Sequence, residues 1–200
     1  YADDIRAGLA YLRGRPEIDG ARLGLVGHSE GGMIAPMVAA TDPRLKGIVL
    51  MAGPAYTGGR ILAFQQRNAV DNARSLTPAQ RKAALEESAR ATDSLARQSG
   101  WLRYFISYDP VPTARRVRAP VLILQGETDQ QVTPEQADTL AAAFRAGGNR
   151  DVTMRKFPAT DHLFVPDSVG DPARYGALVS RAVRPGVLGT IADWLVAHLR

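Results

Sequence analysis

Ser29 stands in Gly27-His28-Ser29-Glu30-Gly31, directly after a short apolar run and directly before a helix-compatible segment. A serine hydroxyl on a sharp turn from strand to helix is exposed at the upper edge of a sheet, where it can attack a carbonyl carbon. The turn strains the backbone at the serine, and residues two before and two after it crowd together, so Gly27 and Gly31 are expected to serve as the elbow glycines. The start of the following helix turns free N–H groups toward the serine, and the backbone N–H of Glu30 can bind a developing oxyanion.

The hydroxyl needs a base, normally a histidine oriented by a carboxylate. The chain has three histidines. His28 adjoins the serine, and neighbours in a tight turn point in different directions, so a structural role is expected for it. His198 falls in the last helix, where a surface position is expected. His162, in Pro158-Ala-Thr-Asp-His-Leu-Phe164, follows a strand candidate and is the expected base, since catalytic groups of open α/β sheets gather at the strands' carboxyl ends. Asp129, in Gly126-Glu-Thr-Asp-Gln-Gln-Val132, follows another strand candidate and is the expected acid. Glu127 and Asp161 are its rivals, although a carboxylate seldom reaches the ring nitrogen of its own neighbour. The three residues come in the order Ser29, Asp129, His162, each after a strand candidate.

The elements that must position these groups alternate. Apolar runs at residues 22–26, 47–52, 121–125 and 152–157 have the length and composition of buried strands. Helical spacing marks residues 3–12, 30–40, 134–146 and 187–199. Pro36 is expected to kink its helix or confine it to short turns, and Thr133 is expected to cap the third helix with Pro134 at its first position. In the last helix, Leu188, Ile191, Leu195 and Leu199 share one side. Strands apolar on both faces and separated by helices indicate a parallel α/β sheet. Residues 56–108 contain no strand candidate. Thr77-Pro78 opens a long helical pattern there, and Trp101, Tyr104, Phe105 and Tyr108 crowd together, as core packing or as the lining of an apolar pocket. The division expected is an α/β core over 1–54 that carries Ser29, a helical insertion over 55–110, and the rest of the core, with Asp129 and His162, over 111–200.

Composition narrows the classes further. The 200 residues carry a net charge of +5, with 25 Lys+Arg against 20 Asp+Glu, yet Arg115, Arg116 and Arg118 make the only tight basic cluster. A nucleic-acid binder concentrates its cations beside stacking aromatics, so none is expected as a partner. The apolar runs are far shorter than the ~18 residues of a membrane span. With 0 Cys there is no thiol nucleophile or zinc-thiolate site. No dinucleotide or phosphate loop and no metal-ligand spacing occurs, so neither a cofactor nor a metal is expected.

The segments Arg22-Leu-Gly-Leu-Val-Gly-His-Ser-Glu-Gly-Gly32, Ala119-Pro-Val-Leu-Ile-Leu-Gln-Gly-Glu-Thr-Asp129 and Asp161-His-Leu-Phe164 resemble the α/β-hydrolase superfamily. Nearly the whole chain shares the likeness, within which it is similar to single-domain carboxylesterases of the serine-aminopeptidase and monoglyceride-lipase branch. The resemblance implies hydrolysis of short acyl esters by Ser29, Asp129 and His162, with the helical insertion as that branch's cap. Complete members begin with several strands upstream, including the loop that supplies a second oxyanion N–H. The chain therefore resembles the C-terminal portion of the fold, with an open edge on its first strand. A homo-oligomer or a complementing N-terminal chain is the expected partner. Two other readings belong beside the esterase: an aminopeptidase or amidase, with Glu30 holding the substrate amine, and a non-catalytic fragment that assembles with another chain.

Overall fold

The architecture follows from four short apolar runs too short to bury themselves alone. In a computed structural model that describes residues 1–73 and 75–200, they pair in parallel as β1 (Gly24–His28), β2 (Gly47–Met51), β3 (Val121–Gly126) and β4 (Val152–Phe157), in that spatial order. Side chains alternate across the sheet. Ile48, Leu50, Val121 and Ile123 enter one core beneath α1 (Ala2–Arg13), α2 (Glu30–Ala39), α6 (Pro110–Ala114) and α7 (Glu135–Ala146). Val49, Leu122 and Leu124 enter a second core against α8 (Pro185–His198), closed by Phe164, Val187 and Trp194. Because both faces are covered, β3 is buried along its whole length.

Between β2 and β3 the chain leaves the sheet as α3 (Gly58–Asn72), α4 (Pro78–Gln98) and α5 (Gly100–Ser107). The start of α4 is fixed by a reciprocal cap, in which Thr77 and Gln80 each satisfy the other's free backbone N–H. No residue of α4 or α5 is buried among those described. Trp101 and Tyr104 are 45% and 54% exposed, so these two are not core side chains. With Phe105, Met33, Met37 and Tyr1 they bound a cleft of about 450 Å³.

Local departures from the sequence expectation have simple causes. The first strand begins two residues later than expected and runs on to His28, where the turn into α2 stops it. Helix α2 continues through Pro36, since the buried face that α2 packs on the sheet outweighs one missing hydrogen bond. Thr133 does not cap α7 through its side chain. The helix begins at Glu135, and the Thr133 hydroxyl pairs with the Glu135 and Gln136 side chains instead. In α8 it is Val187 and Trp194 that are buried, while Leu188 is exposed. Among the described residues no helix is long and apolar enough to cross a membrane.

The two edges of the sheet differ. Lys46 N–H donates to Leu23 O and Ser29 N–H donates to Met51 O, so the alternating backbone groups of Gly24, Val26 and His28 face away from β2 along an open edge. Val26 is 51% exposed there. On the far side, β4 carries Arg155 and Lys156, and Lys156 pairs with Asp138 of α7 at 2.6 Å.

Candidate active site

Ser29 is held by backbone geometry. It lies between β1 and α2 with φ 54° and ψ −118°, a left-handed conformation that costs a non-glycine residue about 1–3 kcal/mol. Two backbone hydrogen bonds of 2.9 Å, from Ser29 N–H to Met51 O and from Gly32 N–H to Ser29 O, keep it there. A Cβ at Gly27 would stand 2.1 Å from Gly31 O, so glycine is required at 27. Gly31 is different from expectation: a Cβ there would meet nothing within 4 Å, and the second crowded glycine is Gly32, where a Cβ would stand 2.7 Å from the Gly53 Cα. The clash at the elbow involves the Gly31 carbonyl rather than its side-chain position. As the first residue of α2, Glu30 has a backbone N–H without an intrahelical acceptor.

Asp129 and His162 meet on the loops that leave β3 and β4. The loops can cross because Gly126 has no side chain, and a Cβ there would lie 2.3 Å from Thr160 O. His162 Nδ1 donates to Asp129 Oδ2 at 2.9 Å, and both residues are buried. The carboxylate accepts three further hydrogen bonds. Gln131 N–H and Val132 N–H donate to Oδ1 at 2.8 and 2.9 Å, and the Gln125 amide donates to Oδ2 at 3.0 Å. All of its roughly four lone-pair positions are occupied, so the carboxylate is held on every side. With Nδ1 engaged, Nε2 is the ring nitrogen left free for proton transfer.

The rivals fall elsewhere. Glu127 is exposed, and Asp161 turns its carboxylate onto the N–H groups of Leu163 and Val165. Burial pushes the Asp161 carboxyl above its ordinary 3.8. His198 stacks on Trp194 at 4.1 Å and lies 3.5 Å from Asp151, which precedes β4, so it belongs to the opposite end of the sheet. His28 is closer to the site than its neighbour rule suggested. Its Nε2 pairs with the His162 backbone O at 2.8 Å, and the two rings stand 4.8 Å apart. Burial holds the His28 ring below its usual 6.5, against the opposing effect of that hydrogen bond. The sequence offered one signal for this contact, a polar ring at the carboxyl end of an otherwise apolar strand.

Ser29, Asp129 and His162 thus all lie at carboxyl ends of strands in one sheet, although no hydrogen bond joins the Ser29 hydroxyl to His162. Such bonds are often long before substrate arrives. The Glu30 carboxylate, the amine anchor of the peptidase reading, accepts the Trp101 indole N–H at 2.6 Å and is thereby tied to α5. Among the described residues no three His, Asp or Glu side chains gather as a metal site would.

A parallel sheet with helices on both faces and a serine strained at a strand-to-helix turn defines a class. Residues 1–178 match the alpha/beta hydrolase family, and the chain belongs to it. It is similar to esterase EstD of Thermotoga maritima, 23% identical over 207 residues, with 97% of this chain and 47% of that protein covered. The chain spans about half the length of the curated relatives it matches, 41% and 47%. Among solved structures it is similar in fold to a Pyrococcus furiosus esterase (TM-score 0.63, 12% identity, 100% of this chain and 62% of that one). Acetyl xylan esterase 1 of a Thermoanaerobacterium species gives a TM-score of 0.57 at 18% identity, with 99% of this chain and 52% of that one covered.

Proposed function

We propose that this protein hydrolyses carboxylic esters of small acyl groups through an acyl-enzyme on Ser29. The observation that carries the reading is the buried Asp129–His162 pair at 2.9 Å, on the same sheet end as the strained serine. The Ser29 hydroxyl attacks the ester carbonyl while His162 Nε2 takes its proton. The carbonyl oxygen gains the negative charge and is met by the Glu30 N–H. Collapse expels the alcohol, which leaves with the proton from His162. Water then attacks the acyl-serine, again giving its proton to His162, and the acid departs with Ser29 restored. Asp129 holds the ring and offsets the charge of the imidazolium. No step requires a metal or an organic cofactor.

The open edge of β1 belongs to the same reading. It takes a further strand, from a second copy of the chain or from a complementing N-terminal segment. The names of the relatives support ester substrates, and the engagement of Glu30 by Trp101 speaks against its use as an amine anchor.

The test is labelling by a fluorophosphonate together with turnover of p-nitrophenyl acetate. Wild-type protein should be labelled at Ser29, and Ser29→Ala should lose both labelling and turnover, the latter by roughly 10⁴-fold or more. Wild-type turnover in Ser29→Ala would remove the nucleophile, and with it the mechanism.

A further inference from the structure

Gln125 is the one polar residue in the run Val121-Leu-Ile-Leu-Gln125, and it is fully buried. A carboxamide in such a place must find partners for two N–H groups and a carbonyl. Its Nε2 donates to Val132 O at 2.9 Å and to Asp129 Oδ2 at 3.0 Å, with Gly126 O a longer third acceptor at 3.3 Å. Its Oε1 is buried without a partner. An apolar residue of the same length would avoid that unsatisfied acceptor but would take a donor away from Val132 O and from Asp129 Oδ2.

What the amide holds is the carboxylate beside His162. The backbone donors Gln131 N–H and Val132 N–H both reach Asp129 Oδ1. No backbone N–H reaches Oδ2, whose two partners are both side chains. Oδ2 is where His162 Nδ1 bonds, and Gln125 is the second donor on that oxygen. The bond to Val132 O closes the loop around the acid from the same amide.

We propose that Gln125 is a positioning residue for the reaction. From inside the sheet it fixes Asp129 Oδ2 in the plane that meets His162 Nδ1, and so sets the tautomer and tilt of the imidazole. The inference rests on the functional reading of Ser29, Asp129 and His162. Gln125 touches neither substrate nor reacting atoms, and its whole effect passes through Asp129.

Gln125→Met keeps length and burial while removing both the donor and the orphan acceptor. It should lower kcat about tenfold, the worth of one hydrogen bond to a charged group, with KM within about twofold. In an Asp129→Asn background the same change should cost less than about twofold, because the carboxylate it served is gone. Wild-type kcat in Gln125→Met, or a full tenfold loss persisting beside Asp129→Asn, overturns the inference. A measurement that does not depend on the variant's folding uses ¹⁵N spectra of the natural sequence. The Gln125 side-chain amide protons should exchange slowly and shift on Asp129→Asn, and rapid exchange overturns the clamp. Ser29→Ala measured in parallel separates the two claims. Retained turnover there defeats the reading of the site, whereas its loss beside an unimpaired Gln125→Met defeats the clamp alone.

Discussion

The serine side and the aspartate–histidine side of the candidate site are held by different physics. Ser29 owes its place to the main chain: a left-handed φ of 54°, two backbone hydrogen bonds and a glycine whose Cβ would strike a carbonyl at 2.1 Å. Asp129 and His162 owe theirs to side chains and loop amides, with four donors converging on one buried carboxylate. The first arrangement stores strain and tolerates no added atom at Gly27. The second stores polar groups in a low-dielectric interior and tolerates no lost partner. Substitutions should therefore fail on the two sides in different ways, by distortion on one and by loss of orientation on the other.

The largest effect is expected on the side-chain half. Asp129→Asn leaves the shape of the loop intact but removes the charge and favours the wrong histidine tautomer. In the proposed mechanism it should lower kcat roughly 10⁴-fold with little change in KM. Glu127→Gln is the control, because Glu127 is exposed and outside the network. Steady-state kinetics on p-nitrophenyl acetate decide between them. A greater loss in Glu127→Gln would move the acid two residues back and break the comparison.

On the backbone half, the sharp test is a pair of added methyl groups. Gly27→Ala forces its Cβ onto Gly31 O and should destabilise the protein by about 3 kcal/mol, read from the urea midpoint. Gly31→Ala adds a methyl into open space on a helix, and alanine is the better helix former, so stability should hold or rise by about 0.5 kcal/mol. Equal losses in the two variants would show that the elbow is crowded in a way the geometry at Gly31 does not contain.

The edges of the sheet extend the contrast. β4 ends the sheet with Arg155 and an ion-paired Lys156, the charged protection that edge strands commonly carry. β1 ends it with Gly-Leu-Val-Gly-His, no charge, and Val26 half exposed. Covering apolar surface there with a further strand is worth roughly 25 cal/mol per Å². Under the proposed strand addition, sedimentation at micromolar concentration should show association, and Val26→Lys should shift the protein toward monomer. A stable, active monomer of the natural sequence would mean that β1 needs no further strand.

Much of this was legible in the sequence because it depends on local pattern. The four apolar runs gave the sheet, and the spacing of Gly27, Ser29 and Glu30 placed a serine between a strand and a helix. The loops bearing Asp129 and His162 followed from strand ends alone. What stayed hidden depends on approach between distant segments. Nothing near Gly31 in the sequence says that its carbonyl, rather than its Cβ position, is what Gly27 must avoid. The contact from His28 to the His162 backbone spans 134 residues. Gln125 had a visible oddity, a polar side chain in an apolar strand, but its partners depend on how the following loop folds back over it. Pro36 and Thr133 misled in the opposite direction: local preference was clear at both, and packing on the sheet and neighbouring side chains outweighed it.

The smallest effect expected concerns the carboxylate next to His162 in the chain. Asp161 is buried, its Oδ1 accepts two backbone N–H groups, and its Oδ2 has no partner. Burial raises its folded pKa above 3.8, the value taken for the unfolded chain. Between those two values the folded protein binds more protons than the unfolded one, so this group's contribution to stability is present below pH 3.8 and is lost as pH rises through the folded value. Asp161→Asn keeps an acceptor for Leu163 and Val165 N–H and cannot ionise. Its amide adds a constant offset at every pH, but the pH-dependent loss should vanish. The difference in Tm between variant and wild type should therefore grow in the variant's favour as pH rises from 3.8 toward neutrality. His28 shifts the opposite way, since burial lowers it below 6.5 and its contribution is lost as pH falls. Thermal melts from pH 4 to 8 on both Asp161→Asn and His28→Gln separate the two slopes. A Tm difference for Asp161→Asn that stays flat with pH would show that the carboxyl is solvated as well folded as unfolded, and the side-chain half of the site would then be less dry than its geometry indicates.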